Sequence, residues 1–178
     1  MEILKVIALL LGAAILLTSC SVYGKKELTY QKGAFRAEIE WESDGTKFSA
    51  SVTAGAPRPP AEGEDIDSVI RDIEMCFLSP ESMRGIKVTR TNGEVGAALG
   101  DIEIDSGALA GYLAAADLFD VSGEVKDIEL VDSESGRLTR IDVRDGDAEF
   151  SVYLSVETEN PVRLTGGKYD VKVVWFER

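Results

Sequence analysis

"AFRAEIEWESDGTKFSASVTA", Ala34 to Ala54, decides how this chain is read. Phe35, Ala37, Ile39 and Trp41 alternate with Arg36, Glu38, Glu40 and Glu42. Successive side chains of a strand point to opposite faces, so this spacing gives one apolar and one charged face. Asp44-Gly45 then supplies a hairpin loop, a dipeptide suited to positive φ at both central positions. Beyond it Phe48, Ala50, Val52 and Ala54 stand in phase. Folding the chain about Asp44-Gly45 sets Trp41 opposite Phe48, Ile39 opposite Ala50 and Phe35 opposite Ala54. A slip of one residue would turn every side chain to the other face, so the pattern specifies the register.

The same construction repeats toward the C-terminus. A loop at Asn92-Gly93 pairs Ile86 with Leu99 and Val88 with Ala97. One at Asp145-Gly146 pairs Val143 with Ala148 and Ile141 with Phe150. One at Gly166-Gly167 pairs Leu164 with Tyr169 and Val162 with Val171. Two more strands are expected in "SVIRDIEMCFLS" (68–79) and "EVKDIELVDS" (124–133). "GAPRPPAEGEDID" (55–67), rich in proline, glycine and acid, reads as a long exposed loop. "DSGALAGYLAAADLFD" (105–120) predicts a helix capped by Asp105 or Ser106, with Leu109, Leu113, Ala116, Leu118 and Phe119 along one stripe. A shorter helical turn follows Pro80 in "SPESMRG", with Ser79 as its cap. The sum is a mainly β chain of α+β type: a single antiparallel sheet of about nine or ten strands, with one or two helices.

The N-terminus carries a different signal. Val6 to Leu17 is apolar and uncharged, which is too short to cross a bilayer but fits the core of a secretory signal. No A-x-A-like cleavage site follows. Leu17-Thr18-Ser19-Cys20 instead resembles the lipobox of bacterial lipoproteins. That resemblance implies cleavage before Cys20 and diacylglycerol on its sulfur, with a further acyl group such as palmitate on the new amine in some bacteria. The expected organisation is a signal peptide at 1–19, a lipidated tether at 20–33 and one β domain at 34–178. Within the tether, Glu27–Tyr30 can already pack as a short helix or strand. The expected location is the extracytoplasmic side of a cell membrane, held by lipid.

Composition narrows the chemistry. The formal charge is −13, which disfavours nucleic acid and anionic headgroups, so the lipid has to supply the hold on the membrane. Histidine is absent, which removes the usual general base near neutral pH and the commonest metal ligand. After Cys20 only Cys76 remains, so no disulfide can form within the domain, and Cys76 among apolar neighbours reads as a small core residue. No cofactor or metal site is expected, no enzyme motif is present, and the protein reads as a monomer.

An anchored sheet of this order, with a helix inserted mid-chain, resembles the LolA/LolB-like lipoprotein-carrier family. The stretches that carry the likeness are "FLSPESMRGIKVTRTNGEV" and "VETENPVRLTGGKYDVKVVWF", familiar from lipoproteins of Gram-positive bacteria. The resemblance implies a strongly curved sheet, an open half-barrel wrapped around its helices, with an apolar cavity on the concave side. Candidates for that lining are Phe35, Ile39, Trp41, Phe48, Val52, Phe150, Tyr153 and Trp175, although Tyr153 is out of phase with Phe150. The ordinary role for such residues is core packed against the helix at 107–119. Two functions follow: binding of a lipid or other apolar ligand, or an interaction with another envelope protein that needs no small ligand.

Overall fold

The computed structural model describes residues 28–59, 71–134 and 136–178. Eleven strands follow in chain order. The first six are β1 (Phe35–Ser43), β2 (Thr46–Ala54), β3 (Ile73–Ser79), β4 (Ile86–Thr91), β5 (Glu94–Leu99) and β6 (Ile102–Glu103). The last five are β7 (Glu124–Ser133), β8 (Gly136–Asp145), β9 (Ala148–Ser155), β10 (Pro161–Gly166) and β11 (Tyr169–Glu177). Between the two groups lies one helical segment: α1 (Leu113–Asp117) with a 3-10 turn on either side, Ala110–Tyr112 and Leu118–Asp120. Further 3-10 turns occupy Thr29–Lys32 and Glu81–Met83.

All strands join one antiparallel sheet in the order β6-β5-β4-β3-β2-β1-β11-β10-β9-β8-β7. Two meanders, β1–β6 and β7–β11, meet at a seam between the first and last strands. β6 and β7 therefore lie at opposite edges, and among the described residues they do not pair with each other. The connection between them has to pass from edge to edge, and it passes over the apolar face. Its path shows the curvature. Arg90 on β4 reaches Asp117 at 2.6 Å, while the adjoining turn Leu118–Asp120 packs on β10. Five strand steps separate β4 from β10, about 24 Å in a flat sheet, so the sheet bends into an open half-barrel around the helix.

Alternation fills this trough. Phe35, Ala37, Ile39 and Trp41 on β1, Ala50 and Val52 on β2, Met75 and Phe77 on β3, and Val152, Leu164 and Val171 beyond the seam are all buried. At the Asp44-Gly45 end, Tyr112 packs on Phe48 and Phe77, with ring centroids 5.1 and 5.4 Å away. At the opposite end Phe119 packs on Phe35 at 4.9 Å and on Phe176 at 6.1 Å.

The β1–β2 hairpin has the expected register, Trp41 with Phe48, Ile39 with Ala50 and Phe35 with Ala54. So has β4–β5, with Ile86 opposite Leu99 and Val88 opposite Ala97. The other two hairpins turn one residue later than expected. Val143 faces Phe150 and Ile141 faces Val152, across a loop at Gly146-Asp147. Leu164 faces Val171 and Gly166 faces Tyr169, across Gly167-Lys168. Moving a turn by one residue moves each partner by two, which keeps every side chain on its face. Apolar matching cannot detect such a shift.

Three further expectations change. Leu28 and Tyr30 are buried, Thr29–Lys32 forms the short helical turn expected near Glu27–Tyr30, and Tyr30 packs edge-on to Phe119 and Phe176, so packing extends ahead of the expected domain start at residue 34, back to at least Leu28. The helix is shorter than 105–120: Asp105 Oδ1 accepts from the Gly107 N–H in a local turn, and helical backbone starts at Ala110. Leu113, Ala116, Leu118 and Phe119 of its stripe are buried. Ser79 does not cap the Glu81–Met83 turn; its hydroxyl lies 2.8 Å from that of Ser49 on β2. Beyond Pro59 the expected loop at 55–67, and the expected signal and anchor within 1–27 including Cys20, lie outside the described residues.

Trp175 gives the clearest change of face. Glu38 pairs with Trp175, but Ile39 pairs with Val173, so β11 carries a bulge at Val174. The extra residue inverts the alternation. Trp175 therefore stands on the convex face, 45% exposed, and Phe176 takes the core position against Tyr30 and Phe35. Phe176→Ala is expected to destabilise by about 3 kcal/mol, as for a truncated core aromatic, and Trp175→Ala by less than about 0.5 kcal/mol. Paired urea melts check this, and equal losses would mean that the bulge is absent.

Candidate functional site

The eight candidate residues separate into three groups. Phe35, Ile39, Trp41, Phe48 and Val52 share the concave face and are buried against the helical segment or its aromatic neighbours. Phe150 is half-buried on the same face, toward the β7 edge, beside Leu118. A Cβ on Gly166 would come within 2.4 Å of the Phe150 ring and 2.8 Å of Leu118, so the bare backbone of Gly166 is what lets these two close over it. Tyr153 and Trp175 lie on the convex face: Tyr153 is opposite Arg163, whose guanidinium stacks 5.3 Å from its ring. The sheet thus brings six of the eight together, and five of these are packed.

Apolar residues that are not packed lie at the rims of the trough. Ile102 on β6 is 68% exposed and Leu130 on β7 is 62% exposed. Both follow the inward parity of their strands, since Leu99 faces Ile102 and Leu130 follows Ile128 by two.

A buried polar node fastens the helical segment at the end that carries Leu28. Arg71 lies just before β3, in phase with Ile73, Met75 and Phe77, and its side chain is fully buried. Its Nη1 donates to the carbonyls of Gly33 at 2.8 Å and Gly55 at 3.1 Å, and Nη2 donates to that of Gln31 at 2.5 Å. Nε lies 2.9 Å from Asp120 Oδ1, an ion-pair contact off the hydrogen-bond line. The guanidinium also sits 5.2 Å over the Phe35 ring. Gln31 Nε2 donates to the carbonyls of Phe119 and Val121, at 2.8 and 3.0 Å. The first folded turn, the start of β3 and the end of the helical segment are thereby tied at one point.

The electrostatics follow from burial. Desolvation pushes the Asp120 carboxyl up to about 7, Arg71 and then Arg90 oppose the rise, and Asp117 adds to it. Burial lowers Arg71, with Asp120 holding it back. Burial pushes the Tyr30 phenol up, and its hydroxyl finds no hydrogen-bond partner among the described residues. A carboxyl raised in the folded state from 3.8 stabilises the fold fully below about pH 4. That contribution is lost as pH rises through about 7. Asp120→Asn does not titrate. Its stability relative to the parent protein is therefore expected to improve by up to ~4 kcal/mol from the acid to the neutral side of this window. Urea titrations of both proteins at a series of pH values measure the difference, and a constant gap would place the Asp120 titration outside the window.

No protein-family model matches this sequence, and no curated protein matches it. Among solved structures, it is similar to an uncharacterized conserved protein from Thermus thermophilus, at 20% identity over 85% of this chain and 82% of that one, with a TM-score of 0.49. It is similar to MucB, solved in complex with MucA(peri), at 16% identity over 84% of this chain, with a TM-score of 0.45. The Pseudomonas aeruginosa MucA/MucB complex gives 14% identity over 84% of this chain and a TM-score of 0.43. The chain spans about half the length of the MucB chains, 52% and 54%.

The node was not foreseen from the sequence. A signal was available: in "IRDIEMCF" the arginine holds a position of the apolar phase, where only a partnered charge is stable. Among the described residues, no three His, Cys, Asp or Glu side chains stand where they could hold a metal ion, and no helix is long and apolar enough to cross a membrane.

Proposed function

We propose that this protein is an exported lipoprotein, held to a membrane by lipid on Cys20, whose half-barrel is an interaction module for an envelope partner and not an enzyme. The observation that carries the reading is the packing of the trough. Five of the candidate lining residues touch the helical segment or each other and leave that stretch filled. A module of this kind recognises a partner with its rims, faces and loops. The anchor rests on the Leu17–Cys20 motif and the apolar run before it. Growth with a labelled fatty acid tests it: the label is expected on the protein and is expected to vanish, with release from membranes, in Cys20→Ala. Crosslinking on intact cells then tests the partner, and an anchored protein that crosslinks to nothing would sink the reading.

A second reading, binding of lipid acyl chains, is favoured by the exposed apolar rims. Ile102 and Leu130 mark where the trough would widen if the short helical segment moved outward. Lipid extraction and mass spectrometry of the purified protein decide between the two: a stoichiometric lipid would support carriage, and its absence would leave the interaction module.

A further inference from the structure

The end of the sheet where Leu28 enters also gathers exposed apolar residues that packing does not use. Val174 and Trp175 on the convex face are 51% and 45% exposed, because the β11 bulge turns the tryptophan outward. Val156 is 47% exposed in the turn joining β9 to β10. That turn sits beside the chain entry: Thr29 Oγ1 donates to Glu159 Oε2 at 3.1 Å, and Arg178 Nη2 donates to the Thr158 carbonyl at 3.1 Å. Seven residues separate Cys20 from the buried Leu28, eight backbone steps that reach at most about 28 Å even fully extended.

We infer that Val156, Val174 and Trp175 form a contact surface for the lipid–water interface of the membrane that holds Cys20, which orients the domain with this end toward the bilayer. The inference rests on the lipid anchor proposed above. Tryptophan suits this layer because its ring has an apolar body and a polar N–H. Glu38, Glu157, Glu159 and Glu177 outnumber Arg36 and Arg178 at this end, which disfavours anionic headgroups, so the surface fits zwitterionic or neutral lipid. Three side chains are too few to hold a protein on a membrane alone; they set orientation once the anchor has brought the domain there.

The test replaces the natural anchor by a chemical one. The chain from Cys20 onward, carrying Cys76→Ser, is coupled through Cys20 to maleimide lipid in phosphatidylcholine vesicles, with ordinary or brominated acyl chains. Trp41, buried against Phe48 and Phe77, gives a constant background. The expected result is a blue shift and a roughly twofold bromine-dependent loss of the Trp175 emission. The bromine-dependent part is expected to disappear in Trp175→Phe. Coupled protein with no bromine-dependent loss would overturn the inference, and so would a loss that survives in Trp175→Phe. Neither outcome touches the anchor itself, which stands or falls with the fatty-acid label in cells.

Discussion

Arg71→Met is expected to destabilise the fold by about 3–5 kcal/mol, the range for removing one partner of a buried ion pair. Methionine fills much of the same volume, so the loss is chiefly polar. Three carbonyls, of Gln31, Gly33 and Gly55, lose their donor, and Asp120 loses the nearest cation to its carboxyl. The cost is expected to be greater above pH 7 than below pH 5, because an unpaired Asp120 must either ionise in a dry site or hold a proton against the solvent. Combining Arg71→Met with Asp120→Asn is expected to recover part of the loss, since two neutral groups no longer leave a charge stranded. A double-mutant cycle by urea unfolding measures this. Additive losses would show that the two side chains are not coupled.

Gly123→Ala is expected to cost on the order of 4 kcal/mol, although it adds one methyl group at a loop position. Gly123 holds φ +130°, a conformation that L side chains rarely adopt. A Cβ there would lie 2.4 Å from the Arg144 carbonyl oxygen and 2.9 Å from its carbon. These are backbone atoms of β8, paired at that point with β7, so they cannot move aside as a side-chain tip could. Gly33→Ala is the control, because a Cβ at that position meets nothing within 4 Å. Thermal melts of the two variants separate steric cost from the general effect of replacing glycine.

Much of this architecture can be read in the sequence because strands write their burial with a period of two. β1, β2, β4, β5 and β7 fall where alternation and turn dipeptides put them. What alternation does not record is any event that preserves parity or inverts it locally. The two C-terminal hairpins differ from expectation by a two-residue shift of partners, which leaves every face unchanged. The bulge at Val174 exchanges the roles of Trp175 and Phe176 without a glycine or proline to mark it. Two-residue β6 is too short to carry a pattern at all. For the candidate site, the concave face was legible from the first hairpin onward. Whether that face was hollow or filled depended on how the helical segment lies along the trough, a tertiary fact set by Tyr112 and Phe119 meeting rings far away in sequence.

The seam between β1 and β11 also has a consequence for how the chain reaches this state. Arg36 pairs with Glu177, so the centre of the sheet is made from the two ends of the domain. A growing chain can form the β1–β6 meander early, from local contacts, but β1 then has a bare edge where β11 belongs. That edge stays open until the last nine-residue strand, Tyr169–Glu177, has been delivered. Assembly of the sheet therefore has its slow, long-range closure at its last strand. A chain truncated before Tyr169 would present two half-sheets, each with an unpaired edge and an apolar face, and it would be a substrate for aggregation and proteolysis instead of a smaller version of the same fold.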